Sequence, residues 1–174
     1  MMQKKSVLLL DNAQIEQKII RITYQILEEN FSATEIVFAG ITGSGYALAR
    51  RLQAAWQTIS PIPAHLIEVH LAKSEPLCQP VQLSVDSNIL ANKTVILIDD
   101  VLNTGKTLFY ALKPLMEIPL QKIQTVVLIN RNLATYPIAA NYVGYALATT
   151  LNDYIRVSLA EDPAQAETTG VFIA

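Results

Sequence analysis

Short, wholly apolar runs set the terms for this chain. Residues 7–10, 95–98 and 126–129 are built only from Val, Leu and Ile, four at a time. That is far short of the ~20 residues a helix needs to cross a bilayer, so no membrane association is expected. Runs of this length between turn residues suit strands buried on both faces. Segments with helical spacing lie between them. After Asp11, a residue type suited to an N-cap, Ile15, Ile19, Ile22 and Ile26 recur every three or four positions and predict a helix over 12–29. A second helix is predicted over 45–57, with Leu48, Leu52, Ala55 and Trp56 inward, and a third over 104–116, with Pro114 near its end. Further strands are expected at 36–39, 67–71, 81–85, 94–98 and 123–129, with short β pieces near 142–145, 155–159 and 171–173. Apolar strands alternating with helices imply βαβ units and a mainly parallel central sheet flanked by helices, an α/β fold.

Composition narrows the setting. The 174 residues are 51% hydrophobic and 16% charged, which excludes disorder and predicts a single domain over 1–174. A net charge of -2 gives no global pull toward nucleic acid. The lone cysteine, Cys78, excludes an intrachain disulfide and a four-cysteine zinc site. The opening Met1-Met2-Gln3-Lys4-Lys5 leads into only four apolar residues, too few for a signal-peptide core. A reducing, cytoplasmic location is expected.

There are six glycines, and four of them (Gly40, Gly43, Gly45 and Gly105) fall in two short segments that follow predicted strands. Ligands of open parallel sheets bind at the carboxyl ends of the strands, so both segments point to the same rim. The sharpest motif ends there: Val95-Ile96-Leu97-Ile98-Asp99-Asp100-Val101-Leu102-Asn103-Thr104-Gly105-Lys106-Thr107. Two adjacent carboxylates are expected to emerge exposed at the strand tip, in need of a cation, a metal or sugar hydroxyls. The small, hydroxyl-rich turn Asn103, Thr104, Gly105, Lys106 and Thr107 suits a phosphate, which free backbone N–H groups would meet. An acid pair beside an anion cradle fits a phosphorylated sugar whose diol faces the carboxylates. Two other motifs fail. A P-loop requires glycine where Asp100 stands, and a dinucleotide fingerprint requires its third glycine where Leu48 stands.

Residues 95–107 resemble the phosphoribosyl pyrophosphate (PRPP) motif of type I phosphoribosyltransferases: an apolar strand, two acids and a Thr-Gly-x-Thr turn. Gly40-Ile41-Thr42-Gly43-Ser44-Gly45 sits where that family has its pyrophosphate loop. The likeness is nearest to the pyrimidine operon attenuator/uracil phosphoribosyltransferase subfamily. It is supported by Leu10-Asp11, Leu48-Ala49-Arg50-Arg51-Leu52, Arg131, Pro137-Ile138 and Asn141-Tyr142-Val143-Gly144. The resemblance implies PRPP and a nucleobase as substrates, Mg²⁺ as cofactor, a small hood over the base, and a homo-oligomer. It further implies that Asp99 and Asp100 hold the ribose hydroxyls and the metal shell, and that residues 103–107 hold the 5′-phosphate. Thr42, Gly43, Ser44 and Gly45 would hold the pyrophosphate, and Arg131 and Tyr145, in the hood, would reach the base.

Departures from the subfamily pattern matter too. Thr42 and Ser44 replace a lysine and an arginine, two cations that would face the leaving group. Asn103 replaces the aspartate that accepts a purine proton in hypoxanthine-guanine enzymes, which points to a pyrimidine such as uracil. Ile20 and Tyr24 stand for a threonine and a histidine on the RNA-contacting helix. Ala134, Ala139 and Tyr145 stand for two arginines and a lysine, so tight RNA binding is not expected. His65 and His70, five apart in a strand, face opposite sides and form no metal pair; a solvated or core role is expected of each. Lys4, Lys5, Arg50 and Arg51 are expected to be surface charges, and Cys78 a loop thiol. Residues 73–80 form either a catalytic lid with Lys73 as its cation or a plain surface hairpin. Two functions remain open at this level: a phosphoribosyltransferase, or a non-catalytic regulator that uses the same pocket to sense PRPP or nucleotide.

Overall fold

In the computed structural model the chain is described over residues 6–73, 79–150, 153–159 and 169–174. The N-cap reading at Asp11 holds. Its carboxylate accepts the Gln14 amide at 2.8 Å and the Gln14 side chain accepts the Asp11 amide at 2.9 Å, a capping box that joins β1 (Val7–Asp11) to α1 (Asn12–Asn30). The chain continues through β2 (Ile36–Ile41), α2 (Ser44–Ile59), β3 (Ala64–His70) and the short β4 (Gln82–Leu83). Then come a 3₁₀ turn (Ser87–Leu90), β5 (Thr94–Leu102), α3 (Lys106–Ala111), α4 (Lys113–Met116) and β6 (Lys122–Asn130). β7 (Tyr142–Ala146), β8 (Ile155–Ser158) and β9 (Gly170–Ile173) complete it.

Six strands form one sheet in the order β4-β3-β2-β5-β6-β7. Every neighbouring pair is parallel except β3 with β4. A separate three-stranded sheet, β1-β9-β8, is antiparallel. This is the α/β architecture expected from the alternation of apolar strands and helices.

Strand side chains alternate between two cores. On one face Ile36, Phe38, Ile96, Ile98, Val126 and Leu128 meet α1 and α2. There Trp56 is fully buried, its ring set edge-on to Phe38 at 5.9 Å between centroids. Leu10, Ile155, Val157 and Val171 of the small sheet join this core. On the other face Val37, Ala39, Ile41, Val95, Leu97 and Val127 pack against Leu108, Ala111 and Leu115.

Three expectations change. The helix predicted over 104–116 is two helices that meet at Leu112, because Pro114 has no amide to donate and is tolerated only in a first turn, where α4 places it. The strand predicted to stop at Ile98 runs on to Leu102, because β6 keeps pairing with it through Asp99–Val127 and Leu102–Asn130. The acid pair therefore lies within a strand rather than at its tip. The strand expected over 81–85 shrinks to β4, which pairs only through Leu83 with Val69 and Gln82 with His70. Arg131 follows β6 and Tyr145 sits in β7.

Candidate active site

Within β5 the pleat sends Asp99 and Asp100 to opposite faces, yet both reach one cation. Lys73 Nζ lies 2.8 Å from Asp99 Oδ1 and 3.3 Å from Asp100 Oδ1. The Asp100 amide donates to Asp99 Oδ1 at 3.0 Å. Asp99 is only 2% exposed, so the expectation of a fully exposed pair is corrected: the extension of the strand draws the first carboxylate into the fold. Burial, then the neighbouring Asp100 charge, push the Asp99 carboxyl up to about 7, against the pull of Lys73. For Lys73, burial would lower the pKa, but the two carboxylates together outweigh it and hold the ammonium above its ordinary value.

The turn after β5 supplies a different chemistry. Gly105 adopts φ +85°, a left-handed conformation that L side chains rarely take, and a Cβ there would stand 2.6 Å from Ile138 Cγ2. The Thr104 carbonyl accepts the amides of Thr135 and Tyr136 at 2.9 and 3.0 Å, and the Lys106 amide donates to Thr104 Oγ1. These contacts fix the turn from outside. The amides of Thr104, Gly105 and Thr107 find no acceptor among the described residues. A cavity of about 210 Å³ opens over them, lined by Lys73, Asp99 and the turn residues Asn103, Thr104, Gly105, Lys106 and Thr107.

The segment after β2 repeats the pattern. Gly43 has φ +87°. The amides of Gly43, Ser44 and Gly45 likewise find no acceptor among the described residues. A Cβ built on Gly45 would lie 3.1 Å from Asp99 Oδ1, so this loop touches the acid pair directly. Its hydroxyls face inward partners: Ser44 Oγ donates to Val157 O at 3.3 Å, tying the loop to the small sheet, and Thr42 Oγ1 lies 3.2 Å from Val69 O. The structure thus brings residues 42–45, 99–100 and 103–107 to one rim, at the carboxyl ends of β2 and β5.

Other predicted residues lie elsewhere or do other work. Arg131 is 4% exposed. Its guanidinium bonds Thr149 Oγ1 at 2.8 Å and the carbonyls of Thr150 and Asp153 at 2.9 and 2.8 Å, so it fastens the chain beyond β7. Tyr145 is 41% exposed on β7. His65 pairs with Glu35 at 3.0 Å, and Arg51 with Glu16 at 2.9 Å. Cys78, Lys4 and Lys5 lie outside the described residues, as does most of the predicted lid. Sequence reasoning missed His70 as a neighbour of the site: its Nδ1 is 3.3 Å from Thr42 Oγ1. The available signal was its place at the end of a strand flanking the glycine loop.

Mg²⁺ prefers oxygen ligands and keeps several waters, so it needs only one or two carboxylates beside substrate oxygens. Asp99 and Asp100 already gather one cation, the Lys73 ammonium, and their oxygens suit that role. Among the described residues no cluster of three or more His, Cys, Asp or Glu forms a complete cage.

A parallel sheet with an acid pair between two amide-lined turns defines a protein class, and direct comparison bears it out. Residues 8–162 match the phosphoribosyl transferase domain, and the chain belongs to that family. Bifunctional protein PyrR of Alkaliphilus metalliredigens is 36% identical over 167 residues, 90% of each chain. The protein of the same name from Clostridium botulinum (strain Eklund 17B / Type B) is 35% identical over 167 residues, 92% of each. Among solved structures, the hypoxanthine phosphoribosyltransferase of Trypanosoma cruzi superposes with a TM-score of 0.76 at 16% identity, covering 95% of this chain and 94% of that one. A hypoxanthine phosphoribosyltransferase from Staphylococcus aureus gives 0.74 at 20% identity, covering 95% and 90%. At those identities the likeness to solved structures is one of fold.

Proposed function

We propose that this protein transfers ribose 5-phosphate from PRPP to a pyrimidine base such as uracil and releases diphosphate. The observation that carries the reading is the acid pair set between two turns, where the amides of Gly43, Ser44, Gly45, Thr104, Gly105 and Thr107 find no acceptor among the described residues. Each part then has a task. The amides of Thr104, Gly105 and Thr107 hold the 5′-phosphate, and those of residues 43–45 hold the diphosphate. Asp99 and Asp100 hold the ribose hydroxyls and, when it is bound, Mg²⁺, which supplies charge neutralisation for the diphosphate. The bond from the anomeric carbon to the diphosphate oxygen breaks with its electron pair on that oxygen. A base nitrogen bonds to the same carbon and loses its proton to solvent water. Positive charge develops on the ribose in that passage, beside the two carboxylates, so positioning and fixed electrostatics supply the catalysis.

Asn103, which has no carboxylate to accept a purine proton, supports a pyrimidine over a 6-oxopurine. A cytoplasmic location and a homo-oligomeric state accompany this reading. No helix among the described residues is long and apolar enough to cross a membrane.

One observation favours a second reading, a sensor that binds PRPP or nucleotide without turnover: residues 42–45 include no cation, and the Ser44 hydroxyl is engaged by Val157. Diphosphate release from PRPP and Mg²⁺ across a panel of nucleobases decides between them. Release with uracil is expected. No release with any base, alongside intact nucleotide binding, selects the sensor. In the same system, calorimetry of Asp99→Asn/Asp100→Asn should show PRPP binding weakened by roughly a hundredfold or more, with the far-ultraviolet dichroism of a folded chain. Wild-type affinity in that variant would remove the acid pair from the site.

A further inference from the structure

The edge of the site formed by β2 and β3 holds a side chain with no task in the scheme above. His70 ends β3, and its Nδ1 lies 3.3 Å from Thr42 Oγ1, which itself lies 3.2 Å from the Val69 carbonyl. Glu68 Oε1 is 3.9 Å from the same ring nitrogen, so the ring's protein neighbours gather on its Nδ1 side. Two proton placements satisfy these contacts. The Thr42 hydroxyl can donate to Nδ1, which leaves the neutral ring's proton on Nε2. Alternatively the hydroxyl donates to Val69 O and accepts from Nδ1–H, and Nε2 then carries a second N–H in the imidazolium or a lone pair in the neutral ring. In the first placement and in the imidazolium Nε2–H is the donor left over, and Nε2 finds no partner among the described residues.

The space beside it is open. Thr42 and His70 line a cavity of about 360 Å³ together with Leu71, Ala72, Gln79 and Gln82, and the His70 side chain is 49% exposed. Among the described residues lining that cavity, only the His70 ring can take a positive charge. The cavity begins at Thr42, the first residue of the loop whose next three amides lack acceptors.

We propose that His70, steadied by Thr42, donates from Nε2 to the departing diphosphate and supplies a free side-chain donor beside residues 42–45, whose own hydroxyls are engaged inward. This assignment rests on the phosphoribosyltransfer reading and adds a binding residue to it. The test is calorimetry on the full chain with two probes, inorganic diphosphate with Mg²⁺ and uridine monophosphate, for the wild type, His70→Ala and His70→Gln. Diphosphate affinity should fall by about tenfold or more in His70→Ala and recover in part in His70→Gln, which keeps an N–H donor. Uridine monophosphate should bind all three within about twofold, because its phosphate belongs to residues 103–107. Equal diphosphate affinity in His70→Ala and wild type overturns the proposal. So does an equal loss of both probes in that variant, since the effect is then not local to diphosphate. Wild-type protein that binds the nucleotide but no diphosphate also overturns it and leaves the phosphoribosyltransfer reading standing. Wild-type protein that binds neither removes that reading and this assignment with it.

Discussion

Asp99 shows how a single carboxyl can link stability to pH. Its folded pKa of about 7 stands above the ordinary value of about 3.9. Between those two values the folded chain therefore binds more protons than the unfolded chain. By linkage, stability falls as the pH rises through that window, because ionising a buried carboxyl beside Asp100 costs more than Lys73 returns. Asp99→Asn removes the cost while keeping the shape. The substrate-free variant should melt at least about 3 °C above wild type at pH 8, and the difference should close as the pH falls to 4. Thermal melts across that range check this, and a variant that melts lower than wild type at pH 8 would contradict it. The Asp-Asp pair was legible as chemistry from the motif. Its burial was not, because it comes from β6 continuing to pair with β5 past Ile98.

At the scale of elements, the unit that holds the phosphate-binding turn is the junction of β5 and α3. Gly105 combines a positive φ with a position 2.6 Å from Ile138 Cγ2 for any added Cβ. Gly105→Ala should cost at least about 1–2 kcal/mol for the backbone alone, read as a lower midpoint in urea unfolding, and should weaken nucleotide binding. A neutral effect on both would show that the turn has room to relax. The β2–α2 unit behaves differently. Trp56 is fully buried, packs edge-on to Phe38, and donates from Nε1 to Ile62 O at 2.8 Å. Trp56→Ala should lose about 3–5 kcal/mol of stability in the same measurement, without altering the geometry of the rim. Helix and strand periods located nearly every element, since these are properties of neighbouring residues. They failed where one residue or one partner strand intervened, at Pro114 and at the end of β5.

For the molecule as a whole, the outer surface near α1 and β7 carries positions that the subfamily resemblance links to RNA contact. Ile20, Tyr24 and Tyr145 are 50%, 49% and 41% exposed there. Arg21, the cation between them, is engaged by the carbonyls of Val143 and Gly144 at 2.9 and 2.7 Å. A protein that neutralises Z phosphates of a single strand shows a salt slope of about −0.7Z. Apolar and aromatic groups contribute nothing to Z. Filter binding to the leader RNA of a pyrimidine operon at two salt concentrations should show weak binding with a shallow slope. Nanomolar affinity with a steep slope would place the RNA surface elsewhere on the molecule.

The α/β class, the two glycine turns, the acid pair and the family likeness were all present in contiguous residues, because strand period, helix period and turn chemistry are local. The contacts that make the rim into a site are not local. Lys73 reaches Asp99 across 26 residues, and Thr42 meets His70 across 28. Both depend on the strand order β3-β2-β5, which sets β3 beside the glycine loop and brings Lys73, three residues past its end, to the acid pair. Arg131 shows the same division from the other side. Its charge is plain in the sequence, but three acceptors at Thr149, Thr150 and Asp153 decide that it fastens the chain beyond β7. Residue type determines what a side chain can do. The packing of distant strands decides which partners it meets.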